Sequence, residues 1–391
     1  MISCDMHIST RIIFGPGKSS EIGSLLKEYK VKKLLLVYGG GSIKATGLYD
    51  RVINCLKEQN IVWKELNGVK SNPTLDKVNE GIQICRQEKI KFILAVGGGS
   101  VVDTAKGVSI GTDYNGNVWD FFSGKTEVTQ AIPVASILTI PGTASEISQN
   151  AVLTNVDTLE KIGIHSQYLR PLFSILDPEL CLTIPSKQIG PSIYDALSHT
   201  MERYFTPTEH TDLSDGVAEG VMKALLKNGP IVHQNPSNLD AWAEVMVASD
   251  FAHSGITGFG RQGDWSNHPM EEEISGIYDI PHGAGLSVIT PAWMRYVYKK
   301  HLPMFVQFAV NVMGVQGDIR NEERTALEGI DALEDYSRKL GLPLHLSEFG
   351  IDNKNFKKMA DRIIARSKNG HIGSLEELKT EDIVNIYNLS L

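Results

Sequence analysis

The first 185 residues alternate short apolar runs with longer amphipathic segments, and this alternation restricts the fold more than any other feature. Three of the apolar runs read "KKLLLVYG", "IVWKEL" and "KFILAVGGGS", and helical patterns such as "TLDKVNEGIQICRQEK" separate them. Two further runs, "AIPVASILT" and "FSILD", follow before residue 178. Strands that alternate with helices in this way are typical of a parallel sheet covered by helices.

The strand pattern stops at Ile184, and the rest of the chain carries only helical patterns. Segments such as "NLDAWAEVMVASDFAHSGI" and "ALEGIDALEDYSRKLG" repeat apolar residues at helical spacing. The change predicts two domains. Residues 1–185 form a Rossmann-like α/β domain with a parallel sheet that binds a dinucleotide, and residues 186–391 form an all-α domain that binds a metal and the substrate.

Charge and cysteine usage exclude several classes of protein. The 391 residues include 38 basic and 46 acidic ones, giving a net charge of −8, and the basic residues are scattered, so no nucleic-acid partner is expected. No run of about 18 apolar residues predicts a membrane span. The start "MISCDMHISTRIIFG" lacks a signal-peptide pattern. The four cysteines are far apart and form no C-x-x-C pair, so a reduced, cytoplasmic protein is expected.

The clearest ligand signal in the first half is "AVGGGSVVDTAK", where an apolar strand runs through three glycines into a helix. Gly97, Gly98, Gly99 and Ser100 would let a phosphate approach the backbone at a helix N-terminus, which offers free N–H groups. The alternative is a tight strand-to-helix turn without a ligand. Asp103, one turn into the helix, is either an ordinary first-turn acid or a residue that faces the cofactor.

A second glycine loop, "YGGGSIKATG", follows the first of these strands. NAD sites often place an acid after this strand to hold the ribose 2′-hydroxyl. Here the positions include Gly39, Gly40, Ser42 and Lys44, which leave room for the 2′-phosphate of NADP and can neutralise it. The alternative is a plain turn with a surface lysine.

A third stretch, "LTIPGTASEIS", crowds hydroxyl groups after another strand. Thr139, Thr143 and Ser145 could bond the phosphates or the carboxamide of a nicotinamide cofactor. They could equally cap a helix that begins before Glu146.

The stretch "PSIYDALSHTMERYF" places Asp195, His199 and Glu202 on one face of a predicted helix. Either Asp195 and His199 are two ligands of a metal, with Glu202 as their neighbour, or all three residues form the solvent-exposed face of an ordinary amphipathic helix. Two more histidines, His268 and His282, lie in segments that mix apolar and turn residues. One carboxylate and three imidazoles suit Fe²⁺ or Zn²⁺. The last two follow no generic metal spacing, so ordinary structural histidines remain the alternative.

Several motifs together resemble the iron-containing (group III) alcohol dehydrogenases, and within them the NADPH-dependent butanol dehydrogenase branch. The similarity runs over nearly the whole chain, and its marks are "YGGGSIK", "GGGSVVDTAK", "TIPGTASE", "DALSHTMERYF" and "MEEEISGIYDIPHGAGLSVITPAWM". The resemblance implies a two-domain architecture like that of dehydroquinate synthase, with metal and cofactor meeting between the halves.

The resemblance also implies roles for individual residues. One divalent metal, usually iron and sometimes zinc, would be held by Asp195, His199, His268 and His282. The pyrophosphate would lie on Gly97, Gly98, Gly99 and Ser100, with Asp103 beside the nicotinamide. Thr139 and Thr143 would help to hold the cofactor, and the adenosine 2′-phosphate would be surrounded by Gly39, Gly40, Ser42 and Lys44.

Two positions depart from the family pattern. Glu272 stands where relatives commonly carry a histidine that is suspected of relaying a proton, so Glu272 either replaces it in catalysis or alters the pocket. Ala144 stands in "GTASE" where glycine is usual. Neither departure touches an implied metal ligand.

The implied activity is metal-dependent reduction of small aldehydes to primary alcohols with NADPH, and the reverse oxidation. A homodimer would fit the family by analogy. One alternative is an NAD-dependent lyase like dehydroquinate synthase, which predicts clustered Lys and Arg around Asp195 and His282, where few occur. The other is a catalytically weak binding protein that retains the fold.

Overall fold

The computed structural model describes residues 1–391 and divides into two compact units. One unit comprises His7–Ile184 and the other comprises Pro185–Leu391 together with Met1–Met6. Residues 1–6 were predicted to belong to the first domain, whereas they pack in the second unit, where the backbone N–H of Ile2 bonds to the carbonyl of Gly260. A six-residue stretch without periodicity carries no signal for such a contact.

The first unit is built on a six-stranded parallel sheet, as predicted. The strands of this unit are β1 Arg11–Phe14, β2 Lys33–Tyr38, β3 Val62–Leu66, β4 Ile93–Gly97, β5 Val134–Leu138, β6 Asn150–Asn155, β7 Glu160–His165 and β8 Phe173–Leu176. The order of the parallel sheet is β1-β8-β5-β4-β2-β3, and a separate antiparallel pair is formed by β6 and β7. The chain moves outward from β2 to β3 and then returns to place β4 on the other side of β2.

Helices cover both faces of this sheet, because alternate residues of its strands point to opposite sides. In β2, Leu35 and Val37 belong to one apolar core, whereas Leu34 and Leu36 belong to the other. Burial on both faces explains the continuous apolar runs in the sequence. The helices of this unit are α1 Ile22–Glu28, α2 Ser42–Ala45, α3 Leu48–Glu58, α4 Leu75–Glu88, α5 Gly99–Gly111 and α6 Trp119–Phe122.

The antiparallel pair β6–β7 was not predicted from the sequence. The segment "NAVLTNVDTLEKIGIH" mixes polar and apolar residues without a clean alternation. The side chains of Ala151 and Leu153 nevertheless complete the core against α5, which is why this segment is extended. Its location after "GTASEIS" shows that this stretch leads into a strand instead of a helix.

The second unit is helical, as predicted. Its helices are α7 Ser186–Tyr204, α8 Asp212–Gln234, α9 Leu239–His253, α10 Asn267–Tyr278, α11 His282–Val297, α12 Leu302–Gln307, α13 Glu322–Lys339, α14 Phe356–Arg366 and α15 Thr380–Leu389. Helix α7 packs against α8, α9 and α11. None of the helices in the structure combines the length and the apolar character that crossing a membrane requires.

Candidate metal centre and dinucleotide loops

Three helices of the second unit bring the four predicted metal ligands together. Asp195 and His199 lie one turn apart on α7, His268 is the second residue of α10, and His282 is the first residue of α11. Pro281 precedes α11 with an extended backbone and fixes where that helix begins. The close packing of α11 on both α7 and α10 therefore sets the positions of the ligands.

One carboxylate oxygen of Asp195 is the common point of the cluster. Asp195 Oδ1 lies 3.5 Å from His199 Nδ1, 4.0 Å from His268 Nε2 and 3.7 Å from His282 Nε2. Ligand atoms of Asp195, His268 and His282 all lie within 4.8 Å of one another. The rings of His199 and His268 are 4.6 Å apart between centroids. Asp195, His268 and His282 thus share a focus, as a common metal would require. His199 lies beside this focus through its approach to Asp195, but its ligand atoms are not within the same distance of all three.

The donor atoms of this cluster fit a divalent cation. Asp195, His199 and His268 are buried and His282 is half-buried. His268 Nε2 and His199 Nδ1 are buried without a hydrogen-bond partner, although buried polar atoms are normally satisfied. One carboxylate with three imidazoles suits Fe²⁺ or Zn²⁺ better than a hard cation such as Mg²⁺.

The surroundings favour neutral imidazole at His199. Burial lowers its pKa well below the usual value, and the neighbouring His253 and His268 lower it further. At His268, burial also disfavours the charged ring, but the hydrogen bond from its Nδ1 to Glu202 and the charge of Glu202 raise the pKa overall. A metal ligand must be the neutral imidazole, and His199 meets this condition without a metal.

Sequence reasoning missed several buried groups around the histidines. His253 on α9 lies with its ring 4.1 Å from that of His199. The buried guanidinium of Arg203 stacks at 4.5 Å on the ring of Trp265 and donates to the carbonyl oxygen of His199. The spacing of Arg203 from His199, four residues along α7, was the only available signal.

The three glutamates of "MEEE" lie in three different environments. Glu271 is fully buried and bonds to His282, whereas the buried Glu273 pairs with Arg362 and Arg366. Glu272, the predicted catalytic residue, is half-buried one turn beyond His268, close enough that its charge raises the pKa of that histidine.

The predicted phosphate loop of the first unit lies at the carboxyl end of β4. Gly98 precedes α5 with an extended backbone, and no side chain caps that helix. A Cβ on Gly99 would lie 2.6 Å from Cγ2 of Thr143, and a Cβ on Gly97 would lie 2.8 Å from Cβ of Val101. These two glycines are therefore required for packing within the unit, while Gly98 has no such constraint. The uncapped helix end is the kind of site that binds phosphate.

The hydroxyl-rich stretch lies at the same edge of the sheet. Strand β5 pairs in parallel with β4, with Leu138 opposite Gly97, and the N–H of Thr139 donates to the carbonyl of Gly97 at 3.0 Å. Ser100 Oγ donates to the carbonyl of Ser71. Carboxyl ends of neighbouring parallel strands are where α/β sheets bind nucleotides.

Asp103 is held by its own unit. Its carboxylate accepts hydrogen bonds from Ser145 Oγ at 2.5 Å and from the N–H of Val152 at 3.2 Å. Burial raises the pKa of Asp103, although the charge of the buried Lys106 opposes this. Ala144, at the position where the resemblance implies glycine, adopts φ +47°, a conformation that glycine adopts without strain.

The second glycine loop follows β2, the strand beside β4. The chain reverses direction across the sheet between β2 and β4, which is the usual position of a dinucleotide. Ser42 begins α2, and a Cβ on Gly40 would meet no atom within 4 Å. The exposed ammonium of Lys44 lies 4.8 Å from the ring centre of Tyr49 and 5.4 Å from that of Tyr38.

Open glycine loops on a parallel sheet and a carboxylate–imidazole cluster in a helical unit are features expected of a nicotinamide-dependent oxidoreductase that uses a divalent metal. The chain belongs to the iron-containing alcohol dehydrogenase family. Residues 9–178 match the family model for iron-containing alcohol dehydrogenase, and residues 191–391 match the model for the C-terminal part of that family.

Individual relatives are similar over the whole length. NADH-dependent butanol dehydrogenase A of Clostridium acetobutylicum is 40% identical over 391 residues, 100% of each chain. The NADPH-dependent aldehyde reductase YqhD of Escherichia coli is 31% identical and covers 93% of each chain. The solved structure of NADH-dependent butanol dehydrogenase A from Thermotoga maritima is similar with a TM-score of 0.96 at 38% identity, over 100% of this chain and 99% of that one.

Proposed function

We propose that this chain reduces small aldehydes to primary alcohols with NADPH, and catalyses the reverse oxidation, at one divalent metal held by Asp195, His199, His268 and His282. The observation that carries the proposal is the approach of three imidazoles to one carboxylate oxygen of Asp195 at 3.5–4.0 Å. NADPH is kept mainly reduced in cells, so aldehyde reduction is the expected physiological direction.

The ligand set determines how the site would act on a carbonyl group. A bound divalent cation would supply Lewis acidity toward the carbonyl oxygen, and the nicotinamide would supply the hydride. Counted without their surroundings, three neutral imidazoles and a single carboxylate would leave one positive charge on a bound divalent cation, which favours the negative charge that develops on the oxygen. Because Asp195 and His268 are buried, water screens this charge only weakly.

The first unit would hold the dinucleotide. The pyrophosphate would lie on the loop of Gly97, Gly98, Gly99 and Ser100, where the N–H groups of the uncapped helix α5 are available. Thr139 and Thr143 at the end of β5 would add hydroxyl donors. Asp103, fixed by Ser145 and Val152, would lie beside the nicotinamide.

Lys44 supports the choice of NADPH. The loop after β2 has Gly39, Gly40 and Ser42 where an NAD site usually has an acid. The nearby carboxylate of Glu65 is engaged by the hydroxyl groups of Tyr38 and Tyr49. An exposed ammonium beside small residues suits a 2′-phosphate. The relatives divide on this point, since four that are 37–40% identical are named for NADH and one that is 31% identical is named for NADPH.

Variants of Lys44 test the choice of cofactor. Lys44→Ala should lower kcat/KM for NADPH about 10- to 100-fold, which corresponds to losing a hydrogen bond to a charged group, and should leave kcat/KM for NADH within about threefold. Lys57→Ala, at an exposed lysine of α3, is the matched control. Equal losses with both cofactors would contradict the assignment of Lys44 to the 2′-phosphate.

The metal site is tested by metal analysis combined with rates. Butanal should drive NADPH oxidation that a chelator abolishes and added Fe²⁺ or Zn²⁺ restores. His268→Ala should lose about one equivalent of metal together with activity, whereas His210→Ala, at an exposed histidine, should lose neither. Bound metal without turnover of any aldehyde or alcohol would favour a binding protein instead.

Glu272 would relay a proton from water to the oxygen of the reduced carbonyl group, at the position where the resemblance implies a histidine. It lies half-buried one turn beyond His268. Glu272→Gln should lower kcat at least about 100-fold, the usual contribution of a general acid, without changing metal content. An unchanged kcat would show that the proton reaches this oxygen without passing through Glu272.

A further inference from the structure

Two buried glutamates lie directly behind two of the histidines. Glu202 on α7 accepts hydrogen bonds at Oε1 from Nδ1 of His268 at 2.9 Å and from the backbone N–H of the same residue at 3.0 Å. The side chain of Glu202 is 1% exposed. One acceptor oxygen therefore fixes both the ring and the backbone of His268 at the start of α10.

Glu271 makes the equivalent contact to His282. Its Oε2 accepts from His282 Nδ1, and its Oε1 accepts from the hydroxyl of Ser275 one turn further along α10. The side chain of Glu271 is fully buried. A Cβ on Gly285 would lie 2.7 Å from Cγ of Glu271, so the glycine of "HGAG" provides the space that this carboxylate occupies.

These contacts determine which ring nitrogen can bind a metal. A carboxylate accepts but does not donate, so Nδ1 of each ring carries a hydrogen, and in the neutral ring Nε2 keeps its lone pair. The two Nε2 atoms are those that face Asp195 Oδ1, at 4.0 Å and 3.7 Å. His268 Nε2 is buried and has no other partner.

We propose that Glu202 and Glu271 are positioning residues that hold His268 and His282 in the tautomer and orientation that direct Nε2 to the metal. This inference rests on the proposed metal site. Partners of this kind fix ligand rings and increase their basicity, and their loss typically weakens metal binding 10- to 100-fold. Sequence reasoning placed Glu202 on the ligand face of α7, and its contact to His268 now gives it a role distinct from that of a ligand.

The chain supplies a matched control for this proposal. Glu273 is also buried and also lies on α10, but it pairs with Arg362 and Arg366 and contacts no histidine. Glu273→Gln removes a buried carboxylate charge from the same helix without altering a ligand. Glutamine is nearly isosteric with glutamate, so each variant changes charge and hydrogen-bond strength more than shape.

Metal affinity and a spectrum test the proposal. The dissociation constants of Zn²⁺ and Co²⁺ would be measured by chelator competition at fixed pH. Glu202→Gln and Glu271→Gln should each weaken binding 10- to 100-fold, and Glu273→Gln less than threefold. The visible spectrum of the Co²⁺ protein should change in the first two variants only. Unchanged affinities and spectra in both would overturn the proposal while leaving the metal site intact.

Further variants distinguish a failure of the proposed metal site from a failure of the proposed role of the two glutamates. If the wild type binds no Co²⁺, or if Asp195→Ala binds it equally well, the metal site itself is wrong and the inference falls with it. If a glutamine variant does not fold, Gly285→Ala displaces Glu271 without removing its charge and should give the same spectral change and loss of affinity. Wild-type affinity in Gly285→Ala would contradict the role of Glu271.

Discussion

Gly283 lies where α11 meets α7, and its replacement by alanine tests whether this close approach positions the metal centre. A Cβ on Gly283 would lie 2.7 Å from the carbonyl carbon of Pro191 and 3.0 Å from its Cα, and closer still to its oxygen. Carbon atoms pack at about 3.5 Å or more. The two helices would therefore have to separate locally by at least about 0.8 Å.

The separation acts directly on the ligands. Pro191 lies one turn before Asp195, and Gly283 is the residue after His282. Metal–ligand distances are reproduced within about 0.2 Å in real sites, so a shift of about 0.8 Å between Asp195 and His282 should weaken metal binding at least about 10-fold. Overpacking of this kind also costs about 1–3 kcal/mol of stability, or roughly 2–4 °C in melting temperature for each kcal/mol in a unit of this size.

The assay compares metal affinity with the melting temperature of the metal-free protein. Gly220→Ala on α8 is the control, because its site is exposed and a Cβ there would meet no atom within 4 Å. This control should keep its metal affinity and gain about 0.5–1 kcal/mol, since alanine is the better helix former. Wild-type affinity and melting temperature in Gly283→Ala would refute the argument that helix contact sets the ligand geometry.

Two further predictions concern the first unit. Gly98→Ala should change stability by no more than about 0.5 kcal/mol, because the new Cβ would lie 3.4 Å from Cβ of Ile140. The same variant should weaken NADPH binding about 10-fold in a fluorescence titration, because the methyl group fills the space at the end of α5. Gly99→Ala, by contrast, collides with Thr143 and should cost about 1–3 kcal/mol of stability. If Gly98→Ala and the wild type bind NADPH equally well, Gly98 serves only the strand-to-helix turn and does not leave space for the cofactor. Burial lowers the pKa of Lys106 to about 8 from its ordinary 10.5. Between these two pH values the unfolded chain therefore binds more protons than the folded chain, and stability rises with pH. From pH 8 to pH 9.5 the free energy of unfolding of the wild type should rise by roughly 1.5 kcal/mol relative to that of Lys106→Met. Parallel pH profiles of the two proteins in thermal unfolding would show that this lysine titrates normally.

The fold class could be predicted because the two periodicities are strong and separate. Strands buried on both faces give continuous apolar runs, as in β2 and β4, and these runs end in the residues that form the loops. The pair β6–β7 could not be predicted, because its extended conformation depends on packing of Ala151 and Leu153 against a core assembled from distant residues. Tertiary contacts decide such segments more than local preference does.

Only part of the candidate site could be predicted from the sequence. Helical spacing made Asp195 and His199 candidates, and the surrounding segments made His268 and His282 candidates. Only the family resemblance joined the four into one ligand set, because ligands on three different helices leave no local pattern. The three acids of "MEEE" look alike in sequence. Successive helical residues point about 100° apart, so their surroundings differ, yet only the packed structure shows that Glu271 reaches His282 while Glu273 reaches Arg366.

Charge balance supplies an independent reason for a divalent cation at this centre. Asp195, Glu202 and Glu271 are buried around the histidines, and the buried cation in contact with His199 is Arg203. Burying a carboxylate without compensation costs several kcal/mol. The consequences are visible in neighbouring groups. The pKa of Asp264 is raised by burial and then by the charge of Glu202, and at His268 the same glutamate outweighs burial. Two positive charges at the proposed site of Asp195, His199, His268 and His282 would offset this excess, which supports the proposal that the cluster binds a cation.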